Sequence, residues 1–421
     1  MGILLKSVQI IDSNSKLNNS TRDVLILKGK IAKIATNIPT DKNRVIQEKG
    51  LCISPGWFDS CALFGDPGFE HKEDINTGLN ATAHGGFTGV VAMPLTNPVA
   101  DNKAGLEYAK LRSASHLVEL LPAGALSKNS QGSQLAEFLD MHQAGAVAFT
   151  DYKNPVNNPE LMNRALEYSK NIDGLILSFP FDDTIAPGGV WNEGPESVAH
   201  GVKGIPSLSE EMRLSRDIEL LRYTNGKMHV LMISTAGSVD LIKKAKKDGL
   251  KITCGVAAHQ LHFTENDMNA FDSDRKVLPP FRSTADVKAL IRGLKDGTID
   301  VICSDHNAHE IESKRCEFEH AAFGMSSIET TFSTANEALH NHLTSDQIIA
   351  KLSANPRSIF KNEIDGIEEG NSANLTLFNP TEINTIRKAD FFSKGKNTPF
   401  EGQELLGKVR GVIRETKELF F

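Results

Sequence analysis

SPGWFDSCALFGDPGFEHKEDINTGLNATAHGGFTGVVAMP, residues 54–94, decides the fold. Two short apolar runs, SPGWFD (54–59) and GVVAMP (89–94), bracket a longer stretch of a different texture. The same alternation recurs along the chain in VELLPAGAL (118–126), AVAFTD (146–151), GLILSF (174–179), HVLMIS (229–234), KITCGVA (251–257) and DVICSD (300–305). Amphipathic segments such as PELMNRALEYSKN and SVDLIKKAKKDG lie between the runs. Short apolar runs separated by helical patterns imply parallel strands with crossover helices, an α/β chain. Eight candidate strands over about 300 residues suit a closed (β/α)8 TIM barrel better than an open sheet.

Outside this region the texture changes. Residues 3–11 (ILLKSVQII) and 24–35 (VLILKGKIAKIA) are β-rich, and Lys28-Gly29-Lys30 is expected as a tight hairpin turn between them. The last segments, ANLTLFNP and then GKVRGVIRE, are similar, so both chain ends are expected to supply strands of a small β domain.

Composition narrows the function. Of 421 residues, 40% are hydrophobic and 24% charged, as in ordinary globular chains. The net charge is −7, from 46 basic and 53 acidic residues, so no basic footprint for nucleic acid or an anionic membrane exists. Five scattered cysteines without a C-x-x-C pair fit a reducing cytoplasm rather than a disulfide framework. The opening MGILLKSVQIIDSNS has a short apolar stretch and no small-residue cleavage site, which argues against a signal peptide. No apolar run reaches the 18 residues of a membrane span.

Chemistry in such a barrel sits at the C-terminal ends of the strands. Those ends carry Asp59-Ser60-Cys61-Ala62-Leu63, Met93-Pro94-Leu95, Asp151, Phe179-Pro180-Phe181, Met232, His259 and Asp305-His306-Asn307-Ala308-His309. The polar groups among them are few: Asp151, His259, Asp305, His306 and His309. Each also has a plain structural reading. Asp151 can cap a helix. His259 can be a satisfied core group, Cys61 a small buried hydrophobe, and Met232 and Phe179 core fillers. Asp305, followed by two histidines within four residues, is the least easily explained this way.

From residue 55 the run PGWFDSCALFGDPGFEHKEDINTG, continuing through GAVAFTD, GGVWNEG, GIPSLSEE, ISTAG, KVLPPFR, DGTIDVICSDHNAH, FGMSSIET and KNTPF, resembles dihydroorotases of the amidohydrolase superfamily. The resemblance covers essentially the whole chain in order. It implies a barrel of the metal-dependent hydrolase type, over 54–364, and a small β-sandwich assembled from 1–53 and 365–421. It also implies a homodimer, and a centre that in the family uses two zinc ions.

The same resemblance shows what this chain lacks. The family's His-x-His positions hold Cys61 and Leu63, and two later histidine positions hold Phe179 and Met232. The bridging acidic position keeps Asp151, and the eighth-strand general acid/base position keeps Asp305, now vestigial. Zinc wants three or four N, S or O donors, and a methionine thioether suits softer ions. No cofactor is therefore expected, or at most one weak metal through Cys61. The substrate positions have changed in parallel: the family's Arg is Gly65, its two Asn positions are Leu95 and Leu278, and only His309 remains of the carboxylate-contacting set. Losing the planar guanidinium removes the main bidentate carboxylate handle. His71, His84, His200 and His229 fall away from strand ends and offer no replacement ligands.

Two functions follow as expectations. The first is a non-catalytic dihydroorotase-like protein of pyrimidine biosynthesis, a structural subunit acting with aspartate transcarbamoylase, as inactive homologues of this sort do. The second is a hydrolase of a cyclic amide with a reduced or absent metal site. In it, an apolar mouth of Cys61, Leu63, Leu95, Phe179, Phe181, Met232 and Leu278 takes the ligand, with Asp151, Asp305 and His309 at its edge; the preferred alternative is that these apolar residues collapse on each other and fill the old cavity.

Overall fold

The computed structural model describes residues 2–268 and 271–421. Its strands, in chain order, begin with β1 (Ile3–Ile10), β2 (Thr21–Leu27), β3 (Lys30–Ala35), β4 (Arg44–Ile46) and β5 (Cys52–Pro55). They continue with β6 (Trp57–Leu63), β7 (Phe87–Ala92), β8 (Glu119–Pro122), β9 (Ile176–Ser178), β10 (Trp191–Asn192) and β11 (Gly204–Ile205). Then follow β12 (Met228–Val230), β13 (Ile252–Ala257), β14 (Val301–Cys303), β15 (His306–Asn307), β16 (Asn374–Thr385), β17 (Glu404–Arg414) and β18 (Lys417–Phe420).

The two chain ends share one β layer, with strand order β18-β17-β16-β5-β1-β2-β3 and β4 on β1. Alternating side chains of these strands, including Leu5, Val8, Val24, Ile53, Leu375, Leu377 and Ile413, close around a common apolar core. The chain thus has a TIM barrel together with a β-sandwich supplied by both chain ends. One local expectation is corrected. The Lys28-Gly29 turn lies within the 24–35 run and joins β2, which begins at Thr21, to β3, rather than linking that run to β1. Positive φ at both residues, 49° and 76°, matches the right-handed twist of a two-residue hairpin.

The barrel is built from two parallel sheets, β14-β13-β12-β9 and β15-β6-β7-β8. The AVAFTD run joins them as the fourth position. Gly124 N donates to Ala148 O at 2.9 Å and Phe149 N to Leu175 O at 3.0 Å, linking β8 to β9 through residues 147–150. The run is too short to register as a full strand, and only Phe149 bridges on both sides. The remaining seam, β14 to β6, is closed by side chains: Asp59 accepts from Ser304 N at 2.8 Å and Ser304 Oγ at 2.6 Å. Beyond that point β15 pairs directly with β6.

The run 54–59 proves to be two elements. Ser54 and Pro55 end β5 in the sandwich, and the first barrel strand starts at Trp57. Gly56 makes the crossing possible, because a Cβ there would lie 2.1 Å from both Asn374 Oδ1 and Thr88 Oγ1. No helix among the described residues is long and apolar enough to cross a membrane.

Candidate functional site at the barrel mouth

Every strand position sends side chains into the barrel. Phe58, Cys61, Val91, Leu121, Ala148, Leu177, Leu231, Ala257 and Cys303 form one buried cluster. Phe179, Met232 and Leu278 are buried in the same cluster, and Leu63, Leu95 and Phe181 pack against it. The residues expected at the mouth therefore belong to or pack against one apolar cluster, and Leu63 and Leu95 at its edge also line a cavity. Burial, and next the neighbouring Cys303, push the Cys61 thiol well above its ordinary pKa. It is held as a thiol, not as the thiolate that binds metal or attacks carbon.

The two carboxylates are not at the edge and not unpaired, which corrects the expectation for both. Asp151 is buried and turned to the preceding loop, accepting from Ser127 N at 2.9 Å and from Ser127 Oγ. That is the plain structural role of a strand-end aspartate. Burial nevertheless raises its pKa above the usual carboxylate range. Asp305 is 1% exposed and sits at φ 50°. Tyr152 Oη donates to its Oδ1 at 2.8 Å, and Lys153 Nζ lies 2.8 Å from the carboxylate. Neither Tyr152 nor Lys153 was singled out by sequence reading. The only sequence signal was a lysine two residues beyond Asp151 at a strand end.

His259 stands beside this pair, its Nε2 3.9 Å from Asp305 Oδ2, too far for a hydrogen bond. Neither ring nitrogen has a protein partner. Burial lowers its pKa to about 4, outweighing the pull of Asp305, so the ring is neutral at physiological pH. His306 is fully committed elsewhere: its Nε2 faces Glu73 Oε2 at 3.4 Å and its Nδ1 accepts from Ser327 N at 3.2 Å. His309 turns its Nε2 to Phe323 O at 3.0 Å and leaves Nδ1 unpartnered. Three of the four substrate positions do come together. Gly65, Leu95 and His309 line a cavity of about 220 Å³ with Leu63, Phe69 and Lys72. Leu278 lies in the apolar cluster instead. Among the described residues, no three His, Cys, Asp or Glu side chains are grouped so as to hold a metal ion.

A buried network fixes the loops around this mouth and was also missed from sequence. Arg282 Nη1 donates to Asn192 Oδ1 at 2.8 Å and Ile205 O at 2.7 Å, and its Nε to Ser234 Oγ at 3.0 Å. Glu210 completes it, accepting from Ser234 N at 2.8 Å and Thr235 N at 3.2 Å.

His229 lies within β12, fully buried, with Nδ1 2.8 Å from Thr253 Oγ1. Burial lowers its pKa to about 3. The unfolded chain takes up that proton near pH 6.5, whereas the folded chain resists it down to about 3. Its stabilisation is thus whole above about pH 6.5 and is lost as pH falls below that, by roughly 2 kcal/mol at about pH 5. In His229→Gln, the difference between the unfolding free energies measured in urea at about pH 7.5 and pH 5 should shrink by this amount. An unchanged difference would assign the acid sensitivity to other groups.

Comparison with known proteins agrees with this architecture. Residues 50–238 match the family model described as dihydro-orotase-like. The chain is 39% identical over 414 residues, 97% of both chains, to a protein named dihydroorotase from Syntrophus aciditrophicus. It is 40% identical over 410 residues to one of the same name from Acetivibrio thermocellus, covering 97% of this chain and 96% of that one. Among solved structures, an L-hydantoinase (dihydropyrimidinase) from Arthrobacter aurescens superposes with a TM-score of 0.86 at 21% identity, covering 99% of this chain and 96% of that one. A dihydropyrimidinase from Brevibacillus agri gives 0.83 at 19%, covering 100% and 95%. At that identity the likeness speaks for the fold.

Proposed function

The chain belongs to the dihydroorotase-like family, and we propose that it is a non-catalytic member, acting in the cytoplasm as a structural subunit beside aspartate transcarbamoylase in pyrimidine biosynthesis. The observation that carries this reading is the apolar mouth: Cys61, Phe179, Met232 and Leu278 are buried in one cluster, with Leu63, Leu95 and Phe181 packed against it, so that these seven positions offer a cyclic amide or a metal no donor but a buried thiol and a thioether. The side chains present do not suit a two-zinc centre. Asp151 is occupied by Ser127 and Asp305 by Tyr152 and Lys153, and leucine and phenylalanine donate nothing. With no metal ion to bind it, water keeps a pKa far too high to attack an amide at neutral pH.

A retained scaffold with a closed mouth is suited to interaction, and the partner is inferred from the family resemblance. A second reading, ring-opening of a cyclic amide, draws on the cavity of about 220 Å³ and the bare Nδ1 of His309 within it. The two separate by experiment. Purified protein, assayed with dihydroorotate and with carbamoyl-aspartate in the presence of added zinc, should give no turnover above the buffer rate. In size-exclusion chromatography at about 10 µM, it should co-elute with aspartate transcarbamoylase. Turnover abolished by Asp305→Asn would establish the hydrolase instead, and failure to co-elute would remove the partner.

A further inference from the structure

A cavity of about 660 Å³ lies outside the mouth, where β16, β17 and the chain end at Phe421 meet His84, Glu329 and Ser333. That is the size of a small-molecule site. One part of its lining is apolar, and it includes Ile383, Phe392 and Phe421, which are 60%, 48% and 41% exposed. The His84 ring stacks on Phe392 at 3.4 Å and on Phe421 at 4.5 Å between centroids. The polar part carries both signs of charge. The Glu329 carboxylate accepts from Phe392 N at 2.8 Å and Ser393 N at 3.1 Å, one bond to each oxygen, so each keeps a further lone pair. Among the described residues no lysine or arginine pairs with it, and burial raises its pKa to about 7. His84 Nδ1 lies 2.8 Å from Asn80 O, which only accepts, so Nδ1 carries the proton. Burial lowers the pKa of the ring, so it is neutral and its Nε2 is an acceptor. Arg387 is exposed in the same cavity, and its guanidinium has no hydrogen-bond or ion-pair partner among the described residues.

We propose that this cavity binds an α-amino acid with a large apolar side chain, its ammonium at Glu329 and His84, its carboxylate on Arg387 and its side chain against Phe391 and Phe392. A plain anion would meet Glu329 and Asp390, and a plain amine would meet Arg387 and Lys408. A zwitterion answers both signs. Arg387 is the carboxylate partner because its planar fork is free, whereas Lys408 Nζ already stands 3.8 Å from Glu382. The faces of Phe392 and Phe421 beside His84 add attraction for the ammonium. Of the other groups facing the Glu329 carboxyl, His306 favours its charged form and Glu73 opposes it. The cavity shares no residue with the apolar mouth, so this inference stands or falls apart from the non-catalytic reading.

The test is isothermal titration with L-phenylalanine, phenethylamine and 3-phenylpropionate, which carry both charges, the ammonium alone and the carboxylate alone. Phenylalanine should bind the natural chain with a Kd of about 1 mM or tighter, and more tightly than either analogue by at least about fivefold. Its advantage over phenylpropionate should vanish in Glu329→Gln, and its advantage over phenethylamine should vanish in Arg387→Ala. A Kd weaker than about 1 mM, or advantages that survive these substitutions, would overturn the proposal. Should Glu329→Gln not fold, the natural chain decides it. An ammonium beside the Glu329 carboxyl favours its charged form, so phenylalanine should release protons at about pH 7 and phenylpropionate should not. The dependence of the titration heat on the buffer reads this release, and its absence with phenylalanine would overturn the proposal.

Discussion

Replacing Arg282 with methionine should lower the free energy of unfolding by about 3–5 kcal/mol. The guanidinium is 2% exposed and serves acceptors on three separate segments, Asn192 in β10, Ile205 in β11 and Ser234 after β12. Glu210, also buried, lies 3.9 Å from Nη2 and is held by three donors from Ser234 and Thr235. Methionine fills a similar volume but donates nothing. It leaves the Asn192 amide oxygen without a donor, the Ile205 carbonyl with Glu193 N alone, and a buried carboxylate without its neighbouring cation. Most of the loss is this desolvation, since an Arg–Glu gap of 3.9 Å is no close ion pair. Arg282→Lys should recover less than half, because one ammonium cannot reach acceptors spread around a planar fork. Urea denaturation provides the number, and a change under about 1 kcal/mol would mean that water replaces the guanidinium.

Sequence reading saw the barrel because parallel strands buried on both faces appear as unbroken apolar runs. GVVAMP, GLILSF and KITCGVA all mark strands, with ends displaced by a residue or a few. It failed where one run served two domains. Nothing in SPGWFD marks Gly56 as the crossing, because Ser54 and Trp57 on its two sides are both buried and only the contacts with Asn374 and Thr88 demand a glycine. At the mouth, sequence named the apolar residues that cluster, since loss of donors is visible residue by residue. It did not see what they pack with. Lys153 reads by default as a solvated lysine. Its contact with Asp305 spans 152 positions, and Arg282 reaches Asn192 across 90. Buried polar pairs of this kind have no periodicity and no local spacing, so they appear only once the chain is closed.

Trp57→Ala should cost about 3–5 kcal/mol and be felt in both parts of the molecule. Trp57 is fully buried at the start of the first barrel strand. Its ring meets Phe378 of β16 at 5.3 Å, Phe332 of the helix Thr331–Leu339 at 4.7 Å and Phe87 of β7 at 5.9 Å. One side chain thus joins the sandwich, the barrel wall and an outer helix. Its Nε1 also donates to Ser54 Oγ at 2.9 Å, and its backbone N to Thr376 Oγ1 at 3.2 Å, both across the crossing at Gly56. Alanine empties a large cavity among rings that cannot all close on it, and it removes the donor to Ser54 Oγ, which keeps only its bond to Pro55 O. Trp57→Phe should keep most of the ring contacts and lose less than half as much. The chain has two tryptophans, so in Trp57→Ala the fluorescence comes from Trp191, whose ring stacks on His200 and meets Phe318 and so reports on the loops of the barrel region. Circular dichroism reports on both parts. If Trp57 couples them, its removal should pull the two urea transitions apart as well as lower them. Transitions that stay coincident, with a loss under about 1 kcal/mol, would show that the sandwich and barrel are held together elsewhere along their shared boundary.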